Sequence, residues 1–257
     1  SNKKFTSFKC DVSKEEEIKN LVDHTVEKYK QLNIVFNNAG VALSETIEDS
    51  TDEDGDWGLG ILLHGVINGT RAFLPHLKKR PEAAIVNTSS IFGLLSVPTQ
   101  SIYHVGKYGV RAFTESLALE MKMENSPVEV YSVHPGHIGT NIANIAAEKG
   151  KMEFDAEAME KRPNIFGPKA KSIEEVGQLF KSNAPVNANT AAKIILNNIK
   201  KIGKLNLDLG NIFLEENNLL FKGKFSFEIY DKNRFYRKFL VSKKNQKDIK
   251  KFYFGLI

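Results

Sequence analysis

Residues 83–107 read AAIVNTSSIFGLLSVPTQSIYHVGK. The opening AAIVNTSS is an apolar run closed by hydroxyl residues, the pattern of a buried strand that ends at Ser90. Beyond a turn-rich connection, Ser101–Met123 carries apolar residues at helical spacing through Val105, Tyr108, Phe113, Leu117 and Met121. Tyr103 and Lys107 stand four positions apart and share one face of that helix, close enough for an ammonium to draw the phenol pKa down from about 10. A tyrosine so tuned is a general acid/base. A lysine-rich chain produces such a spacing by accident, so the pair alone carries little. Its position decides: Ser90 lies thirteen residues upstream, at the carboxyl end of a strand, where open α/β sheets place their ligands.

The neighbouring segments repeat this strand–helix alternation. Phe5–Cys10 alternates apolar and polar residues as a short strand does, and Ser13 with Glu16 has the spacing of a capping box that opens the next helix. Ile18, Leu21, Val22, Val26 and Tyr29 line one face of that helix. NIVFNNAG at 33–40 reads as a buried strand ending in a tight turn, followed by an acidic loop, Glu45–Asp56. Trp57–Lys79 is helix-friendly apart from Gly65, Gly69 and Pro75, and VEVYSVHPG at 128–136 supplies a fourth strand closed by Pro-Gly. Alternation of this kind predicts a parallel α/β sheet.

Downstream, residues 137–171 lack a sustained period, as an excursion over a site would. Helices are predicted over Ile173–Lys181 and Thr190–Ile202, then a last strand through Leu205, Leu207 and Leu209, and a β-hairpin over 224–242. His134 and His137 have no third ligand near them in sequence, and STDEDG at 50–55 lacks carboxylates at the end positions of a calcium loop. No metal is expected.

The 257 residues are 41% hydrophobic and 26% charged, in the range of one globular α/β domain. The single cysteine, Cys10, cannot form an internal disulfide, and no apolar run approaches the ~18 residues of a membrane span. A reducing, cytoplasmic setting is expected. The net charge of +5 divides unevenly: residues 203–257 hold 12 Lys/Arg against 6 Asp/Glu, and residues 1–202 hold 24 against 25. The basicity belongs to the tail.

Taken together, NNAG, NTSSIFG, SIYHVGK and HPGHIGT at successive strand ends and one helix resemble the short-chain dehydrogenase/reductase family over roughly residues 5–210. The resemblance implies a Rossmann-like, doubly wound parallel sheet and an NAD- or NADP-dependent oxidoreductase acting on a small-molecule alcohol or carbonyl. It implies Tyr103 as the acid/base, Lys107 as the residue that binds the nicotinamide ribose and lowers the tyrosine pKa, and Ser90 as the residue that holds the substrate oxygen. Cofactor contacts carry over to Asp11 and Val12 near adenine, to Asn38, Ala39 and Gly40 beside the adenosine ribose, and to Pro135, Gly136, Ile138 and Thr140 near the nicotinamide amide. A homo-oligomer is implied for the intact parent.

The chain also departs from the family pattern. In WGLGILLHG, Trp57 and Gly65 keep the family spacing but Leu62 holds the place of an asparagine that helps position a water behind the lysine; leucine makes no hydrogen bond. The first two β-α units, with the glycine-rich phosphate turn, would precede Phe5, so 1–210 is expected to be a partial dehydrogenase domain with weak or no activity and with an unpaired apolar edge at Ile34–Phe36. Residues 211–257 form an atypical basic, aromatic-rich extension. It motivates an alternative, a non-catalytic dehydrogenase remnant that binds anionic surfaces through its tail, although a solvated hairpin is the expectation and no nucleic-acid partner is expected.

Overall fold

A computed structural model of the chain describes residues 6–152, 154, 156–161 and 169–200. The chain divides into two compact units, Ser1–Val133 and His134–Ile257. In the first unit, β1 (Ile34–Asn37), β2 (Ala83–Thr88) and β3 (Val128–Val133) form a parallel sheet in that order. Val35 pairs with Ile85, and Ile85 with Val130. Parallel neighbours need crossover connections, and helices provide them. α1 (Glu15–Tyr29) leads into β1, and α4 (Ser101–Met123) joins β2 to β3. Ile18 and Val22 of α1, Val35, Ile85, and Leu117 and Met121 of α4 meet in one apolar core.

Between β1 and β2 the chain is helical from Asp52 to Leu77, as α2 (Asp52–Leu59), a π-turn (Gly60–His64) and α3 (Gly65–Leu77). The expected acidic loop is therefore shorter than its composition implied. Thr51 Oγ1 accepts the Asp54 N–H at 3.1 Å, and Asp52, Glu53 and Asp54 become the helix's first turn, where carboxylates suit the positive end of the dipole.

Three further expectations are corrected. Residues 6–10 form no strand, since a strand exists only through a ladder with a neighbour, and β1 pairs with β2 alone among the described residues. The Ser13–Glu16 capping box does not form. Ser13 Oγ instead donates to Asp11 Oδ1 at 2.7 Å, and Glu17 Oε2 accepts the Asp11 N–H at 2.7 Å; the Asp11 carboxylate is the stronger acceptor and captures the serine. Finally, α4 buries His104, Lys107, Val110, Thr114, Leu117 and Met121, leaving Val105 56% and Tyr108 38% exposed. Its inner stripe is half polar because those groups find partners in β2 and in the connection that follows it. Ile34 and Phe36 are 40% and 44% exposed on β1, which lies at the edge of the sheet formed by the described residues.

The second unit pairs β4 (Ile138–Gly139) with β5 (Val186–Asn187) in parallel and adds α5 (Ile142–Glu148), α6 (Ala156–Lys161), α7 (Ile173–Ser182) and α8 (Ala188–Lys200). α7 and α8 begin within two residues of their expected starts, and among its described residues the segment without a clear period holds two short helices. The expected strand at 205–209, the hairpin at 224–242 and the boundary at 210 lie outside the described residues. Among the described residues no helix is long and apolar enough to cross a membrane.

Candidate active site

The carboxyl end of β2 gathers the site. Ser90 follows the strand in extended conformation and caps a 3₁₀ turn, Ile91–Gly93, where its Oγ accepts the Phe92 N–H at 3.1 Å. Tyr103, in the first turn of α4, is hydrogen bonded to Ser90 side chain to side chain. One helical turn on, Lys107 is 3% exposed; its Nζ donates to the Thr88 carbonyl at 2.8 Å and lies 5.7 Å from the centroid of the Tyr103 ring. The same lysine is held through its backbone, since Ser89 Oγ donates to the Lys107 carbonyl at 2.7 Å. Consecutive residues of β2's end thus fix both the main chain and the ammonium of Lys107.

Burial pulls the Lys107 pKa down to about 8, which leaves the amine mostly charged at neutral pH. Burial also pushes the Tyr103 phenol up, and the Ser90 hydrogen bond lowers it in part. The net direction is opposite to the lowering expected from the Tyr103–Lys107 spacing. Loss of water around the phenol is the larger influence, while the ammonium is committed to Thr88.

The NNAG turn completes the surroundings. Asn38 Oδ1 accepts from Thr88 Oγ1 at 3.0 Å. Gly40 lies beside the lysine: a Cβ there would stand 3.7 Å from Lys107 Nζ and 3.7 Å from Leu62 Cδ2. Asn38, Ala39 and Gly40 are exposed, so the missing side chain keeps open an approach to the ammonium. Val12, Asn38 and Ala39 line a groove of ≈ 280 Å³ beside β1. Val12 also packs on α3, where a Cβ at Gly65 would meet it at 2.9 Å. Asp11 is exposed at the start of α1, its carboxyl held low by Ser13.

In the second unit, Pro135 and Gly136 are half-buried and are separated from β4 by His137, Ile138 is buried and pairs with Val186, and the Thr140 N–H bonds the Ile138 carbonyl at 2.8 Å. Leu62 is fully buried in the π-turn and packs on α4, where a Cβ at Gly106 would lie 2.8 Å from its Cβ. Among the described residues no group of three His, Cys, Asp or Glu could hold a metal ion.

Several contributors were not read from the sequence. Asn37 and Asn87 are register partners in β1 and β2, and Asn37 Nδ2 donates to Asn87 Oδ1 at 2.8 Å and to Thr70 Oγ1 at 3.0 Å. Asn87 Nδ2 donates in turn to Thr114 Oγ1 at 3.0 Å. A polar chain therefore crosses the sheet from α3 to α4 directly beneath the site. An amide inside the apolar run AAIVNT was the available signal, because a buried amide demands partners. Ser89 and Thr88 act through a hydroxyl and a carbonyl that no spacing rule singles out.

A family profile described as short chain dehydrogenase matches residues 1–150. The chain belongs to the short-chain dehydrogenase family. SadH of Mycobacterium tuberculosis, named as an oxidoreductase, is 36% identical over 191 residues, 74% of this chain and 69% of that protein. An NADP-dependent (R)-specific alcohol dehydrogenase from Lentilactobacillus kefiri is 38% identical over 125 residues, 48% of this chain and 50% of the relative. The crystal structure of a short-chain dehydrogenase/reductase from Burkholderia phymatum in complex with NAD superposes with a TM-score of 0.62 at 26% identity, covering 76% of this chain and 68% of that one. This short-chain dehydrogenase thus has the Rossmann-like parallel α/β architecture expected from its strand ends, and its relatives are oxidoreductases.

Proposed function

We propose that this short-chain dehydrogenase interconverts an alcohol and a carbonyl compound with NAD or NADP. The observation that carries the reading is the Ser90–Tyr103 hydroxyl pair with the buried Lys107 ammonium one helical turn behind it. In the reducing direction the substrate oxygen gains negative charge and needs a proton. Tyr103 O–H delivers it, and in the oxidising direction the phenolate takes it back. Ser90, its Oγ oriented by the Phe92 N–H, holds the same oxygen and stabilises its charge. Lys107, fixed on Thr88, keeps its ammonium one helical turn behind Tyr103, and the Ser90 hydrogen bond is what offsets part of the rise that burial imposes on the phenol.

The nicotinamide group, when bound, supplies or accepts the hydride. The residues present fit it: Gly40 leaves open the space beside Lys107 Nζ that a side chain would fill. Lys107 and Tyr103 would hold its ribose, Asn38, Ala39 and Gly40 the adenosine side, and Asp11 and Val12 the adenine. Pro135, Gly136, Ile138 and Thr140 are assigned to the nicotinamide amide on their sequence pattern. The NADP-dependent relative and the NAD complex of the Burkholderia protein support both nucleotides. A small-molecule substrate and a homo-oligomeric assembly complete the reading.

The test is nucleotide oxidation by the purified chain, followed with NADH and NADPH over a panel of aldehydes and ketones. Turnover that falls about 10²–10⁴-fold in Tyr103→Phe, with nucleotide binding retained, supports the assignment. Turnover unchanged in Tyr103→Phe sinks it.

A further inference from the structure

The residue after the proposed acid/base points into a different set of contacts. His104 is 6% exposed. Its Nδ1 lies 2.9 Å from the Phe92 carbonyl and its Nε2 accepts the Val97 N–H at 2.9 Å. Nε2 also stands 3.2 Å from the Val97 carbonyl. The shorter, directed bond from Val97 N–H requires an unprotonated Nε2, which places the proton on Nδ1, where it is donated to Phe92. One neutral tautomer therefore satisfies both ends.

Both ends belong to the connection that carries Ser90. It leaves β2 at Ser90, turns through Ile91–Gly93 and continues past Val97 to α4. The Phe92 ring meets the Tyr103 ring edge-on at 6.2 Å and the His104 ring at 5.1 Å. Arg111, two turns further along α4, adds a bond from Nη1 to the Gly93 carbonyl at 3.3 Å. The segment is thus tied to the helix at Phe92, Gly93 and Val97, and the tie at His104 is adjacent in sequence to Tyr103.

We propose that His104 is a positioning residue for the reaction: by bridging Phe92 and Val97 it holds the Ser90 connection against α4 and sets the Ser90–Tyr103 hydroxyl pair. The inference rests on the functional reading above for its consequence in turnover, but its structural content stands apart from it. His104 touches neither reacting atom. It acts through the loop, whose displacement by about 1 Å is enough to cost up to about 10²-fold in rate.

The experiment compares His104→Phe, which keeps the ring volume and loses both bonds, with His104→Gln, whose amide oxygen reaches the Nε2 position and keeps the bond to Val97. Three quantities are read in the full chain: hydrogen exchange at the Val97 amide, the titration of the Tyr103 phenol, and kcat against KM. The proposal expects Val97 exchange to rise about tenfold in His104→Phe, the loss of one hydrogen bond. It expects the Tyr103 pKa to rise as its Ser90 bond weakens, and kcat to fall about ten- to hundred-fold with the nucleotide KM unchanged. His104→Gln should recover most of each change. Unchanged Val97 exchange in His104→Phe overturns the bridge, and faster exchange with an unmoved Tyr103 titration overturns the positioning role. If the wild-type chain reduces no carbonyl, the dehydrogenase reading fails while the exchange and titration still decide His104.

Discussion

Asn37 and Asn87 face each other across β1 and β2 and share a hydrogen bond of 2.8 Å between their side-chain amides, with Asn87 fully buried. Removing one amide leaves the other's group unsatisfied inside the sheet, at a cost of about 1–3 kcal/mol. Asn87→Ala should lower the urea midpoint accordingly. The double variant with Asn37→Ala should cost less than the sum of the two singles by at least about 0.5 kcal/mol. Strict additivity would show that the pair is not coupled.

Lys107 makes stability depend on pH with a definite sign. Its pKa is pulled from 10.5 to about 8 on folding, so the unfolded chain holds a proton that the folded chain has released. Stability should therefore rise with pH from about 8 toward 10. Above 10 the raised phenol of Tyr103, and that of Tyr131 pushed to about 12 by burial and Glu129, work the other way. Denaturation at a series of pH values should show the rise in the wild type and not in Lys107→Met. A parallel rise in both would assign it to another group.

Two glycines should respond in opposite directions to alanine. At Gly93 a Cβ would collide with Ser89 Oγ and stand 2.7 Å from the Lys107 carbonyl, so Gly93→Ala should cost about 1–3 kcal/mol and disturb the Ser89–Lys107 bond. At Gly55, inside α2, a Cβ meets nothing within 4 Å. Gly55→Ala should stabilise by about 0.5–1 kcal/mol. Thermal melts of both variants give the comparison.

Leu62→Asn places an amide in an apolar slot against Gly106 and beside Gly40. The lost packing should destabilise the chain by roughly 2–4 kcal/mol. An amide oxygen near Lys107 should favour the ammonium and raise the lysine pKa. The check is a lower melting temperature combined with a shift of the alkaline Lys107 titration to higher pH. A shift to lower pH would mean that the amide turns its nitrogen to the ammonium.

The sequence made the long elements readable where one signal dominated. Ser101–Met123 is bounded as its spacing predicts, and β2 and β3 follow their apolar runs. What it obscured were competitions. Asp11 and Ser13 both offer a side-chain oxygen before α1, and only geometry shows that the serine donates to the carboxylate. Val105 and Tyr108 fit an apolar helical face, yet Lys107, His104 and Thr114 take the inside because the Thr88 carbonyl, the backbone of Phe92 and Val97, and the Asn87 amide await them. The candidate site was legible as residue types at strand ends. Its supports, Ser89, Asn87 and His104, were not, because each works through backbone groups or through partners about fifteen to fifty residues away.

The π-turn at Gly60–His64 has a consequence for how this helix tolerates changes in length. The Gly65 N–H bonds the Gly60 carbonyl, so the turn closes over one residue more than an α-turn does. Upstream, a Cβ at Gly58 would meet Leu43 and Ile102 at 3.0 Å, and downstream one at Gly65 would meet Val12 at 2.9 Å. Each half is phased to its own neighbours. Removing one residue from α2 or α3 would swing everything beyond it by about 100° and point one half at the wrong partners. Removing one between Gly60 and His64 turns the wide turn into an ordinary one and leaves both halves aimed as they are. The helix carries its spare residue against Gly106 of α4, where its length and its orientation are uncoupled.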